Sequence, residues 1–154
     1  MALVLERMIA PATGIPARPV AEETDSKLNI SVVFTSVDAT LAALKEAANL
    51  ASSLGGRITL LVPQIVPYPL PLSSPPVMPD FSERRLRVIA GRCRVETRVS
   101  IFLCRDPLET LKSVLKPHSL VLIGSRKRWW PTVEKRLAFQ LRHAGHEVVV
   151  TERE

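Results

Sequence analysis

Ser119-Leu-Val-Leu-Ile-Gly-Ser-Arg-Lys-Arg-Trp-Trp130 decides how this chain is read. Ser119 to Ile123 is a short apolar run of the kind that forms a buried strand, and Gly124-Ser125 follows it. A strand that ends in Gly-Ser and leads into a helix is how open α/β sheets build an anion cradle. Backbone N–H groups of the turn and of the helix N-terminus face the ligand. Here the turn is filled by Arg126, Lys127 and Arg128 and by two indoles. Close backbone approach to a phosphate calls for small residues. The stretch reads as a nucleotide-binding turn whose pocket has been altered.

The flanking sequence alternates strand and helix patterns. Residues 1–27 read as a disordered tail, with Pro11, Pro16 and Pro19 before the acidic Glu22-Glu-Thr-Asp25. Their periodic apolar surface is too small to offset the entropy of ordering. The domain spans 28–154. Asn29 to Val37 is a β-branched run that reads as a strand, and Asp38-Ala-Thr40 turns into a helix with Leu41, Leu44, Ala48 and Ala51 on one face. Gly55-Gly56 stops that helix. Arg57 to Val66 is a second strand. Pro67 to Pro79 holds six prolines and reads as a long connection. Asp80 is the expected cap of a helix reaching Cys93, and Val95 to Cys104 is a strand. Asp106-Pro-Leu-Glu109 is a helix start with Asp at the N-cap and Pro next. Thr132 is expected to cap the last helix, which ends at Gly145, and Glu147 to Thr151 is the last strand. Five strands alternating with four helices imply α/β architecture: a doubly wound parallel sheet with helices on both faces.

A chain of 154 residues, 46% hydrophobic and 23% charged, suits one globular domain. No apolar run approaches the roughly 18 residues of a membrane span. The N-terminus lacks the basic flank of a secretory signal. The cytoplasm is therefore expected, with no membrane partner. Cys93 and Cys104 lack ligand or redox spacing and read as buried small hydrophobes. His118, His143 and His146 are scattered and read as surface groups rather than metal ligands. Ser125 has no evident base and no GxSxG elbow, so no catalytic residue is expected. Net charge is +6, yet residues 81–145 hold 15 basic and 5 acidic side chains. That imbalance points to an anionic or protein partner at this segment. The arginines of residues 84–98 lack interleaved aromatics, which argues against a base-stacking nucleic-acid surface.

From Ile30 to Val150 the chain resembles the universal stress protein family. The likeness rests on Val37-Asp-Ala-Thr40, on Ala47-Ala-Asn-Leu-Ala-Ser-Ser-Leu-Gly-Gly-Arg-Ile-Thr-Leu-Leu61, and on Ser119 to Arg126 with Leu141-Arg-His-Ala144 and Val148-Val-Val150. The resemblance implies a five-stranded sheet of order 3-2-1-4-5, an adenine-nucleotide-hydrolase-like sandwich and a role in stress regulation. It also implies a homodimer through the last strand, with Val148, Val149 and Val150 at the interface. ATP-binding members carry G-2x-G-9x-G-[S/T]. Gly124 fits the first glycine and the second falls on Lys127. The third falls on Leu137-Ala138 ungapped, or on Glu134-Lys135 if Leu141 to Ala144 is the anchor. A retained nucleotide site would thus use Asp38, Gly124 and Ser125, with Arg126 as an attracting cation. Asp38 reads equally as a helix N-cap, the simpler role.

The expectation that follows is a non-enzymatic regulatory homodimer that does not bind ATP tightly and needs no cofactor. The alternative is a module binding ATP or AMP through a remodelled phosphate loop, with room for slow hydrolysis. Trp129 or Trp130 is expected to plug the crevice over the carboxyl ends of the first and fourth strands, while the other ring stays free.

Overall fold

In a computed structural model, the structure describes residues 3–9, 28–68, 70, 79–93, 95, 97–130 and 132–153, with backbone alone for 3–9, 79–83 and 153. Six strands are β1 (Leu3–Ile9), β2 (Asn29–Val33), β3 (Arg57–Ile65), β4 (Thr97–Cys104), β5 (Leu120–Arg126) and β6 (Glu147–Arg153). Four helices are α1 (Val37–Leu54), α2 (Pro79–Gly91), α3 (Pro107–Val114) and α4 (Val133–His143). All strand pairs are parallel, in the order β1-β4-β3-β2-β5-β6. The five expected strands are β2 to β6, and their order is the expected 3-2-1-4-5.

The sixth strand corrects the reading of a disordered tail for residues 3–9 alone. Leu3–Ile9 pairs with β4 along Thr97–Leu103. The physical reason is the open edge of β4, whose backbone groups need partners; a short extended run satisfies them. The prolines and acids that follow outweigh this start when the segment is read as one composition. Residues 10–27 lie outside the described residues, as does most of the Pro67–Pro79 connection.

Both sheet faces are covered. On one, Ile30, Val32, Ile58, Leu60, Val99 and Ile101 pack against Ala43, Leu44 and Ala47 of α1 and Leu86, Ile89 and Ala90 of α2. On the other, Val33, Leu61, Phe102, Val121 and Ile123 pack against Leu111 and Val114 of α3 and Ala138 and Leu141 of α4. Helix boundaries follow local chemistry. Asp106 accepts from the N–H groups of Leu108 at 3.0 Å and Glu109 at 3.3 Å, with Pro107 at the first helical position. Thr132 accepts from the Lys135 N–H at 3.3 Å. Gly55 and Gly145 leave α1 and α4 with φ of 68° and 96°, where a side chain is strained. Helix α2 begins at Pro79, so Asp80 lies inside it rather than capping it.

Candidate functional site

The carboxyl ends of β2 and β5 flank the crevice where open α/β sheets hold ligands. Strand β2 stops at Val33, earlier than its apolar run suggests, and Ser36 caps the helix that begins at Val37. Its hydroxyl accepts from the Ala39 N–H at 3.4 Å. The cap of α1 is thus Ser36, and the reading of Asp38 as the cap is corrected. Asp38 is exposed in the first turn, where a carboxylate favours the helix dipole.

Gly124 meets α1 backbone to backbone. A Cβ on it would lie 2.0 Å from the Ala39 carbonyl oxygen and 2.4 Å from its carbon. The Thr35 hydroxyl donates to the Gly124 carbonyl at 2.9 Å, and the Thr40 hydroxyl accepts from the Thr35 N–H at 3.1 Å. Gly124 is therefore explained by the seating of α1 on β5. Ser125 is fully buried. Its hydroxyl lies 3.3 Å from the Thr132 hydroxyl and 3.3 Å from the Arg126 carbonyl oxygen, to which it donates. Neither residue belongs to a turn. Strand β5 runs on through Arg126, in register with Thr151, Glu152 and Arg153 of β6. The sheet has absorbed the segment that the sequence suggests as an anion cradle.

The indoles do not fill the crevice. Trp129 is 90% exposed and Trp130 47%. They touch each other edge to face, with ring centroids 5.1 Å apart. The expected plug is overturned. Both rings follow a β5 that runs on as strand through Arg126, and they contact each other at the surface. Arg126, Lys127 and Arg128 are exposed beside the indoles. Lys135 reaches back under this turn, donating to the Arg128 carbonyl at 3.2 Å and pairing with Glu152 at 2.8 Å. The hydrogen bond and charge of Lys135 hold the Glu152 carboxyl below the usual carboxylate range.

Two hollows lie elsewhere. One, of about 360 Å³, sits between α1 and α2, with Leu41, Leu44, Ile89 and Cys93 below Lys45 and Arg92. The other, about 300 Å³, is at the amino ends of β2 and β3 and includes Ser31, Thr59 and His118. There the sequence reading missed a pairing. His146 is buried; its Nδ1 accepts from the Ser119 N–H at 3.3 Å, while His118 Nδ1 is 3.2 Å from the Gly145 carbonyl oxygen. Burial, then the nearby His118, pushes the His146 imidazole below its ordinary value. Parallel neighbours β5 and β6 bring residues 118 and 146 together, although the sequence spaces them far apart. Among the described residues no three His, Cys, Asp or Glu side chains gather as a metal site. Cys93 and Cys104 are buried and unpaired in any disulfide. Burial chiefly raises the Cys104 thiol, which keeps it protonated and unreactive.

At the other edge of the sheet, β6 pairs only with β5 among the described residues. Val148 is buried in the chain's own core, Val149 is 38% exposed and Val150 is partly covered. The Glu147 N–H points to β5, bonding the Ser119 carbonyl. Alternation then turns the backbone groups of Val148, Val150 and Glu152 outward. Arg142 donates to the Val148 carbonyl through Nε at 3.2 Å and a terminal nitrogen at 2.8 Å.

This is a doubly wound α/β sandwich in which Gly124 of β5 packs directly on the first turn of α1. A solved structure of a protein from the universal stress protein family from Burkholderia pseudomallei aligns over 80% of this chain and 94% of its own, with TM-score 0.54 and 21% identity. Universal stress protein UspA from Lactobacillus plantarum aligns over 82% of this chain and 99% of its own, with TM-score 0.49 and 19% identity. No family model and no curated protein matches the sequence.

Proposed function

We propose that this chain is a universal stress protein-like regulatory module in stress response, working in the cytoplasm as a non-enzymatic homodimer that does not hold ATP tightly. The observation that carries this reading is the contact between Gly124 and Ala39. It supports a crevice given over to packing, with Gly124 and Ser125 inside a strand and a basic, aromatic turn where small residues suit a phosphate. The homodimer reading rests on the open edge of β6. A second copy would pair with the outward backbone groups of Val150 and Glu152, the Val148 carbonyl being held by Arg142.

A thermal shift with Mg-ATP tests the reading. A ligand at 100 times its Kd stabilises a fold by about 2.7 kcal/mol, or roughly 5–11 °C for a domain of this size. The proposal expects less than a degree at millimolar Mg-ATP. A shift of the larger size would return the module to the nucleotide-binding class, with Arg126 to Arg128 as its anion contacts.

A further inference from the structure

The carboxyl end of the sheet carries a group of exposed apolar side chains. Ile65 ends β3, Tyr68 and Leu70 follow it, Trp129 and Trp130 follow β5, and Val133 opens α4; all six are exposed. These loops leave one end of a parallel sheet, so they share a rim. An apolar rim of this kind, edged by charge, marks an interaction site.

The chemistry of the rim narrows the partner. Arg126, Lys127 and Arg128 run directly into the indoles, and all three are exposed. The Arg128 guanidinium lies 5.7 Å from the Trp130 ring centre, and Arg105 lies 4.0 Å from that of Tyr68. Arg105 also donates to the Val66 and Leu70 carbonyls at 2.7 and 2.6 Å, fixing the Tyr68 loop to the end of β4. Acids lie at this end too: Asp38, Glu109 and Glu134 sit in the first turns of α1, α3 and α4, Asp106 caps α3, Glu109 pairs with Lys112, and Glu152 pairs with Lys135 and faces Lys127.

We propose that this rim docks the protein on an anionic lipid surface. Trp129 and Trp130 enter the headgroup region, and Arg126, Lys127 and Arg128 engage the anionic headgroups. Indole rings favour the membrane–water interface because one part is apolar and the N–H stays solvated. Adjacent cations add attraction to an anionic leaflet. A single strand of nucleic acid fits less well. Ile65, Leu70 and Val133 offer nothing to a base, and the edge-to-face indole pair with Arg128 beside it is not a run of free stacking faces. The contact is peripheral, since no helix among the described residues is long and apolar enough to cross a membrane. It therefore differs from the spanning association that the sequence argues against.

The chain has two tryptophans, both in this turn, so intrinsic fluorescence reads the site directly. The full chain is mixed with vesicles of phosphatidylcholine alone, and with vesicles that also contain phosphatidylglycerol, at roughly 1 mM lipid, well above the midpoint for a marginal anchor. The expected result is a blue shift and co-sedimentation with the anionic vesicles only, both weakening as salt rises. Neutralising each of Arg126, Lys127 and Arg128 should weaken binding about fivefold. W129S/W130S should lose co-sedimentation with its urea midpoint unchanged, which separates lost contact from lost fold. No shift with anionic vesicles overturns the proposal. So does equal binding to phosphatidylcholine, or a shift produced by a single-stranded oligonucleotide and not by vesicles. None of these readouts depends on whether ATP binds.

Discussion

Replacing Gly124 with Ala should unseat the first turn of α1. The added Cβ would sit 2.0 Å from the Ala39 carbonyl oxygen, 2.4 Å from its carbon and 3.1 Å from its Cα. All three are backbone atoms, so no side chain can swing away. The strand and the helix must separate by more than an ångström, at a point where Thr35 also ties the two together. Overpacking a core costs about 1–3 kcal/mol when side chains adjust. With backbone on both sides, G124A is expected at or above the upper end, about 3 kcal/mol, or roughly 6–12 °C in Tm. Urea unfolding followed by circular dichroism measures it, and a lower midpoint with unchanged slope gives the loss. Gly91 is the control, since nothing lies within 4 Å of a Cβ built there; G91A should be neutral or stabilising by less than about 1 kcal/mol. If G124A unfolds within about 0.5 kcal/mol of the parent, the glycine is not there for packing, and the closed crevice loses its main support.

Three further outcomes follow from the same contacts. D106A removes the acceptor of two N–H groups at the start of α3 and should cost about 1 kcal/mol in urea unfolding. The buried His146 binds a proton less readily than it does in the unfolded chain. Its contribution should therefore be complete above pH 6.5 and fade as pH falls through that value toward the lower folded pKa; H146N should flatten this part of a urea midpoint–pH profile. V149K places a cation on the half-exposed residue of the β6 edge and should give monomer in sedimentation, whereas an unchanged dimer would move the interface elsewhere.

Much of the fold is legible in the sequence because its signals are local. Asp106 with Pro107, Thr132, and the glycines at 55 and 145 mark helix ends by chemistry within a few residues. The apolar runs of β2 to β5 mark a sheet buried on both faces. What was not legible depends on neighbours distant in sequence. The β1 strand exists through pairing with β4, some ninety residues away in register. Ser36 takes the cap expected at Asp38, two residues earlier. Gly124-Ser125 has the composition of a phosphate turn, yet β6 pairs alongside it and holds it as strand. The Trp plug failed for the same reason: β5 runs on as strand through Arg126, and the indoles beyond it are exposed. His118 and His146 meet only because β5 and β6 are adjacent.

We propose that the contact at Gly124 serves packing and leaves no tight nucleotide site there. Titration calorimetry of the full chain with Mg-ATP tests it most directly. No saturable heat is expected at ligand concentrations up to about 100 μM, and a Kd below about 10 μM, roughly −7 kcal/mol, would overturn the proposal.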